Sequence, residues 1–255
     1  MERMLVVVFD DKTKAFEASK TLTQLDADGD ISIYAEAVVK KNADNTVSIE
    51  QSSDVFPIGT VTGTAIGALI DLLGDVPDVG AAGGAAIGNA LDLDRAGVNA
   101  EFLSDVSSSL RPGEWAVVSD ISEEITTPVD SQMKALGGHV FRQTRESVED
   151  EQNEREVRAI QSDIKELDKE EKAEARAEKK AELKAKVEAL HDKLHNKLEL
   201  AKIRSEEREK ETQAKVKYLQ QKLAKAQGNM KTKIENRVHE IRKQSPAAET
   251  AVAQN

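Results

Sequence analysis

The chain has 255 residues, 33% of them charged and only 3% aromatic, a balance that points to a long solvated helix beside an ordinary core. Charge is unevenly placed: residues 1–144 hold 10 Lys/Arg against 23 Asp/Glu, net −13, and the rest hold 26 against 24, net +2. The acidic first part lacks the basic surface that binding to phosphate backbones requires, so no nucleic-acid partner is expected, and the absence of cysteine excludes disulfides, Cys-ligated zinc and thiol catalysis.

Met4 to Phe9, MLVVVF, is a short β-branched apolar run and predicts a buried strand. It meets Asp10 and Asp11 too soon to be the core of an export signal, so a cytoplasmic chain is expected. Asp11 is placed to cap a helix whose apolar positions Ala15, Ala18, Leu22 and Leu25 recur at three- and four-residue steps, and DADGD at 26–30 ends it. Alternation then puts Ile31, Ile33, Ala35, Ala37 and Val39 on one face of a strand that turns through KKNADN into Val47 and Ile49 as a hairpin.

Further on, Asn99–Leu110 predicts a helix with Phe102, Leu103 and Val106 on one stripe, stopped by Pro112 and Gly113. EWAVVSDI predicts a strand, Pro128 opens a short helix closed by Gly137 and Gly138, and HVFRQ predicts a last strand. Short antiparallel strands with helices packed on one face make an α+β fold, a sandwich of ferredoxin-like type.

A Gly-rich insertion at 57–92 interrupts this order. Gly59, Gly63 and Gly67 are each four apart, as are Gly80, Gly84 and Gly88, so each set lines one face of a helix and lets another backbone come close. Gly74 to Pro77 reads as the turn between the two helices of this Gly-zipper hairpin. An Asp at a bilayer centre costs ~2.5–3.5 kcal/mol, whereas an Ile, Leu or Val returns only ~0.3–0.6. Ile58, Val61, Ile66, Leu69 and Ile70 therefore do not offset Asp71, Asp75 and Asp78, and the expected neighbour of the glycine faces is protein.

From 145 to 243 there is no Pro and one Gly, Gly228, and the composition predicts one long charged helix, followed by a disordered tail at 244–255. Its expected seam is Leu183, Val187, Leu190 and Leu194, then Val216, Leu219, Leu223, Met230, Ile234, Val238 and Ile241. Leu219, Met230 and Ile241 lie eleven apart, an interval that makes the stripe nearly straight, coiled-coil-like but not a left-handed heptad. Residues 211–243 carry 9 Lys/Arg against 3 Asp/Glu, and a basic amphipathic helix suits either an anionic membrane surface or the acidic domain of another subunit.

Motifs for chemistry are weak. DADGD has its Gly at the fourth place where a calcium loop needs it at the sixth; His191 and His195 are one turn apart without a third ligand; Asp10 and Asp11 follow a strand end with no partner base. No catalytic residue, metal or cofactor is assigned, and a non-enzymatic protein is expected.

LVVVFDDKTKAFEA, FPIGTVTGTAIGALI, DLDRAGVNAEFL, WAVVSDISEE and TPVDSQMKALGGHVFRQ together resemble a bacterial family catalogued as domain of unknown function 1269. Its members are commonly labelled predicted membrane proteins, and some carry a similar Lys/Ala/Glu-rich C-terminal helix. The family has no assigned activity, so the resemblance implies no site residues. Together these readings predict a homo-oligomeric structural protein, a ring, bundle or filament joined by the hairpin and the long helix. The alternative is a membrane-associated protein touching lipid through the hairpin or the basic helix.

Overall fold

The computed structural model describes residues 1–52, 64–75, 98–144, 148–173 and 177–243. They fall into two compact units, Met1–Glu146 with Arg208–Asn255, and Ser147–Glu207.

The first unit is built on five strands, β1 (Glu2–Phe9), β2 (Ile31–Lys41), β3 (Val47–Ser52), β4 (Trp115–Glu123) and β5 (His139–Thr144). They lie in the order β3-β2-β4-β1-β5, and every neighbouring pair is antiparallel. Helices α1 (Lys12–Ala27), α2 (Thr64–Asp75), α3 (Ala100–Ser109) and α4 (Thr127–Ala135) complete the α+β body. Asp11 caps α1 by accepting from the backbone N–H of Lys14, and Asn99 caps α3 by accepting from Phe102.

Both faces of the sheet are covered, which corrects the expectation of helices on one face. Leu5, Val7, Phe9, Val117 and Ile121 pack under α1 and α4; Met4, Val6, Val8, Ala116 and Val118 pack under α2 and α3. A strand buried on both sides has no polar face, which is why MLVVVF is a continuous apolar run and not an alternating one. α2 runs on through Gly74 and Asp75, so those two residues end a helix where a turn was expected.

β2 departs from simple alternation. Ile33 pairs with Ile121 and Ala35 with Asp120, so two steps on β2 oppose one on β4, and Tyr34 is the extra residue of a β-bulge. The bulge swaps the faces along the strand. Ile31 and Ile33 pack with α1 and α4, whereas Ala35, Ala37 and Val39 pack with α2 and α3, correcting the single face expected for all five.

β5 is brought close to β1 by a missing side chain. A Cβ on Gly138 would lie 2.6 Å from both Phe9 Cε1 and Val7 Cγ1. Gly138→Ala is expected to destabilise the unit by ~1–3 kcal/mol through overpacking. An unchanged urea midpoint for that variant would contradict the packing.

The expected long C-terminal helix is present, 47 residues from Ala177, but it ends at Leu223 and does not run unbroken to 243. The structure has α5 (Val148–Ala173), α6 (Ala177–Leu223) and α7 (Gly228–Lys243), and α6 closes at Leu223 in a turn where Lys225 and Ala226 donate to Lys222 and Leu223. Gly228, with φ +55°, allows the change of direction, and tertiary packing drives it. Leu219, Ile234 and Ile241 are buried around Tyr34, with Val216, Leu223, Met230 and Val238 packed against them. The eleven-residue stripe is thus two helix faces meeting on one bulge residue of the same chain. In the second unit, Val187 is buried with Ile160 and Ile164 of α5, and Leu190 and Leu194 pack on that cluster. Leu183 is buried as well.

Candidate functional site

The turn after α1 explains why DADGD ends that helix. Gly29, φ +76°, donates to Asp26 and Asp30 donates to Leu25, the two bonds that close a helix through a left-handed residue. This turn leaves a row of carbonyls, and Arg237 of α7 takes them. Its Nη1 donates to Ile31 O at 3.0 Å and to Ser32 Oγ at 3.0 Å, and its Nη2 donates to Gly29 O and Asp30 O, both at 2.8 Å. A planar guanidinium with donors on both edges suits such a row, which a lysine would not span. Burial pulls the Arg237 pKa down from its usual value, opposed by the carboxylates of Glu124, Asp26 and Asp30. Lys233 pairs with Asp30 and Lys222 with Asp26, each at 2.7 Å.

A second buried cation lies nearby. Lys215 of α6 is 1% exposed, with Nζ 2.8 Å from Asp120, 2.7 Å from Glu211, 3.1 Å from Glu2 and 4.6 Å from the Tyr34 ring centre. The sheet register makes this convergence. Met4 pairs with Asp120 and Glu2 with Ser122, so Glu2, Asp120 and Ser122 share the face that the bulge turns Tyr34 towards. The Tyr34 hydroxyl donates to Ser122 Oγ at 3.1 Å, and burial holds its pKa far above the usual phenol value. The basic segment thus seats on the acidic unit of its own chain.

A third cluster lies on the α1 face. Glu36 of β2 is 7% exposed; Ser19 donates to it at 2.5 Å and Ser119 at 3.4 Å. Burial pushes the carboxyl up to about 7; the hydroxyls of Ser19 and Ser119 pull it down and the charge of Asp26 raises it. Glu36 borders a cavity of 130 Å³ whose wall includes Ser19, Asp26, Ile33, Gln51 and Tyr218.

Of the residues singled out from sequence, Val216, Leu219, Leu223, Met230, Ile234, Val238 and Ile241 come together around Tyr34, and Val187, Leu190 and Leu194 come together with α5. Gly67 is half-buried in α2; Gly59, Gly63, Gly80, Gly84 and Gly88 lie outside the described residues, as do Asp78 and the tail at 244–255. Asp71, His191 and His195 are exposed. Among the described residues no three His, Cys, Asp or Glu side chains group as a metal site, and no helix is long and apolar enough to cross a membrane.

Lys215, Arg237 and Glu36 are absent from the sequence-derived set. For the two cations a signal exists: Lys215 lies four before Leu219, and Arg237 lies three after Ile234 and four before Ile241, on the buried stripe. Glu36 is the single charge between Ile31 and Val39, which marks it only once both faces of β2 are known to be covered.

Fold and clusters together define an α+β protein whose basic C-terminal segment is clasped to its acidic sheet unit. Residues 59–161 match the family described as "Protein of unknown function (DUF1269)", which supports the resemblance seen in the sequence. The match takes in α2, α3, β4, α4, β5 and the start of α5, and leaves out the first three strands. Searches of curated proteins and of solved structures found no match.

Proposed function

We propose that this is a non-enzymatic structural protein that assembles with copies of itself. Its sheet unit is a ferredoxin-like βαββαβ sandwich, widened by edge strand β3 and carrying a Gly-zipper hairpin between β3 and α3. The observation that carries the reading is the clasp itself. An acidic unit and a basic helical segment meet through Lys215 and Arg237, two buried cations whose acceptors fix position and register. Surfaces that match within one chain also match between copies, so exchange of α7 joins neighbours while the glycine faces of the hairpins supply a second contact.

Light scattering on the purified chain tests this. Gly63→Leu and Gly84→Leu each place a branched side chain on a glycine face and are expected to lower the assembled mass. Unchanged mass in both variants removes the hairpin contact. The apolar stripe of α7 faces Tyr34, so no flotation with anionic liposomes is expected at low or high salt. Flotation at low salt would replace this reading with membrane association.

A further inference from the structure

Two other buried carboxylates of the first unit, Asp120 and Glu123, have cations beside them, whereas the buried cations Arg237 and Lys41 lie against neutral oxygens. Lys215 faces Asp120, Glu2 and Glu211; Glu123 faces Arg3 at 3.2 Å and Arg142; Arg237 has four oxygen acceptors. Glu36 differs: its bonds are to two serine hydroxyls, and among the described residues no cation pairs with it. A carboxylate held in this way carries a desolvation cost that hydroxyls only partly offset, and an arriving positive charge would offset it more fully.

The surroundings specify what kind of charge fits. Glu36 opens on the 130 Å³ cavity, far larger than the ~10–15 Å³ a water needs and smaller than the ~300 Å³ pockets of drug-sized ligands. Its polar lining includes two carboxyl groups, Glu36 and Asp26, with the uncharged side chains of Ser19, Thr23, Gln51, Ser52 and Tyr218 and, among the described residues, no cation. Ile33, Ala37 and Val38 give it an apolar side. Two lining residues already display the same recognition, because the Lys222 ammonium pairs with Asp26 at 2.7 Å and lies 5.5 Å from the Tyr218 ring centre.

We infer that this cavity binds a small organic ammonium ion, its N–H donors on Glu36 and the adjoining hydroxyls and its short alkyl part against Ile33 and Val38. Lys222 already pairs with Asp26, so the ligand's charge belongs with Glu36. Among the described residues, the titratable groups that line the cavity with Glu36 are Asp26 on α1 and Tyr218 on α6, and Lys222 of α6 pairs with Asp26. Because the carboxyl releases its proton at about 7, binding strengthens as pH rises through that value and levels off above it.

Calorimetric titration of the full chain with n-propylammonium chloride, and with n-propanol as its neutral counterpart, tests the site. Propylammonium is expected to bind about tenfold more tightly at pH 8 than at pH 6, in line with the ionised fraction of a group titrating near neutrality, and propanol is expected to give no saturable heat. Glu36→Gln removes the charge, and Gln51→Trp, at an exposed rim position, fills the mouth. Both are expected to weaken binding at least about tenfold with the circular dichroism of the folded chain retained. No saturable binding by the unaltered chain at pH 8, or unchanged binding by either variant, overturns the inference.

Discussion

Lys215→Met is expected to destabilise the first unit by about 3–5 kcal/mol, because it withdraws one partner of a buried ion pair. The cost is not the loss of a favourable contact alone. Asp120 is fully buried, and removing the ammonium 2.8 Å away takes a countercharge from a carboxylate in a place water does not reach. Glu2 and Glu211 retain some exposure and can turn outward, so most of the loss traces to Asp120. The double variant Lys215→Met with Asp120→Leu is therefore expected to recover most of the stability, since replacing both members of a buried pair by apolar groups is often neutral. Urea unfolding of the two variants checks this. A single variant within about 1 kcal/mol of the unaltered chain would show that Lys215 is not what neutralises Asp120.

Glu36→Gln is expected to act in the opposite direction, and only at higher pH. The folded chain keeps the Glu36 proton up to about 7, whereas an unfolded chain releases it near 4.5. Between those values the folded state holds more protons than the unfolded state, so stability falls as pH rises. Glu36's favourable contribution is complete below 4.5 and gone above 7. The amide does not ionise and follows no such course, so it gains on the acid by roughly 3 kcal/mol at pH 8 relative to the difference at pH 4.5. Thermal or urea unfolding at the two pH values measures this, and a variant tracking the unaltered chain at both would mean that Glu36 titrates in the folded chain as it does in the unfolded one. The same substitution is expected to weaken ammonium binding at least about tenfold, so a chain that is more stable yet binds more weakly separates loss of the site from loss of the fold.

Much of the sheet unit was readable from sequence, because local chemistry and tertiary packing agree there. Asp11 and Asn99 cap the helices they precede, DADGD stops α1, and each apolar run forms a strand. The failures have particular causes. Both faces of the sheet are covered, and a run such as MLVVVF does not say how many sides it buries. Alternation through Ile33 and Ala35 hides the bulge, since an inserted residue flips the face without disturbing the odd-numbered apolar pattern. The stripe from Val216 to Ile241 was visible, but period alone does not distinguish one long helix from two that fold onto a common residue. Lys215, Arg237 and Glu36 escaped because a charged side chain reads as surface until its acceptors, distant in sequence, are known.

The clasp also has a bearing on timing. Tyr34 and Asp120 leave the ribosome well before the helices that cover them; at ~5–20 residues per second, the roughly ninety residues between Asp120 and Lys215 take several seconds to synthesise. For that interval the nascent sheet holds an acidic, aromatic face open to the cell, and closure waits for α6 and α7.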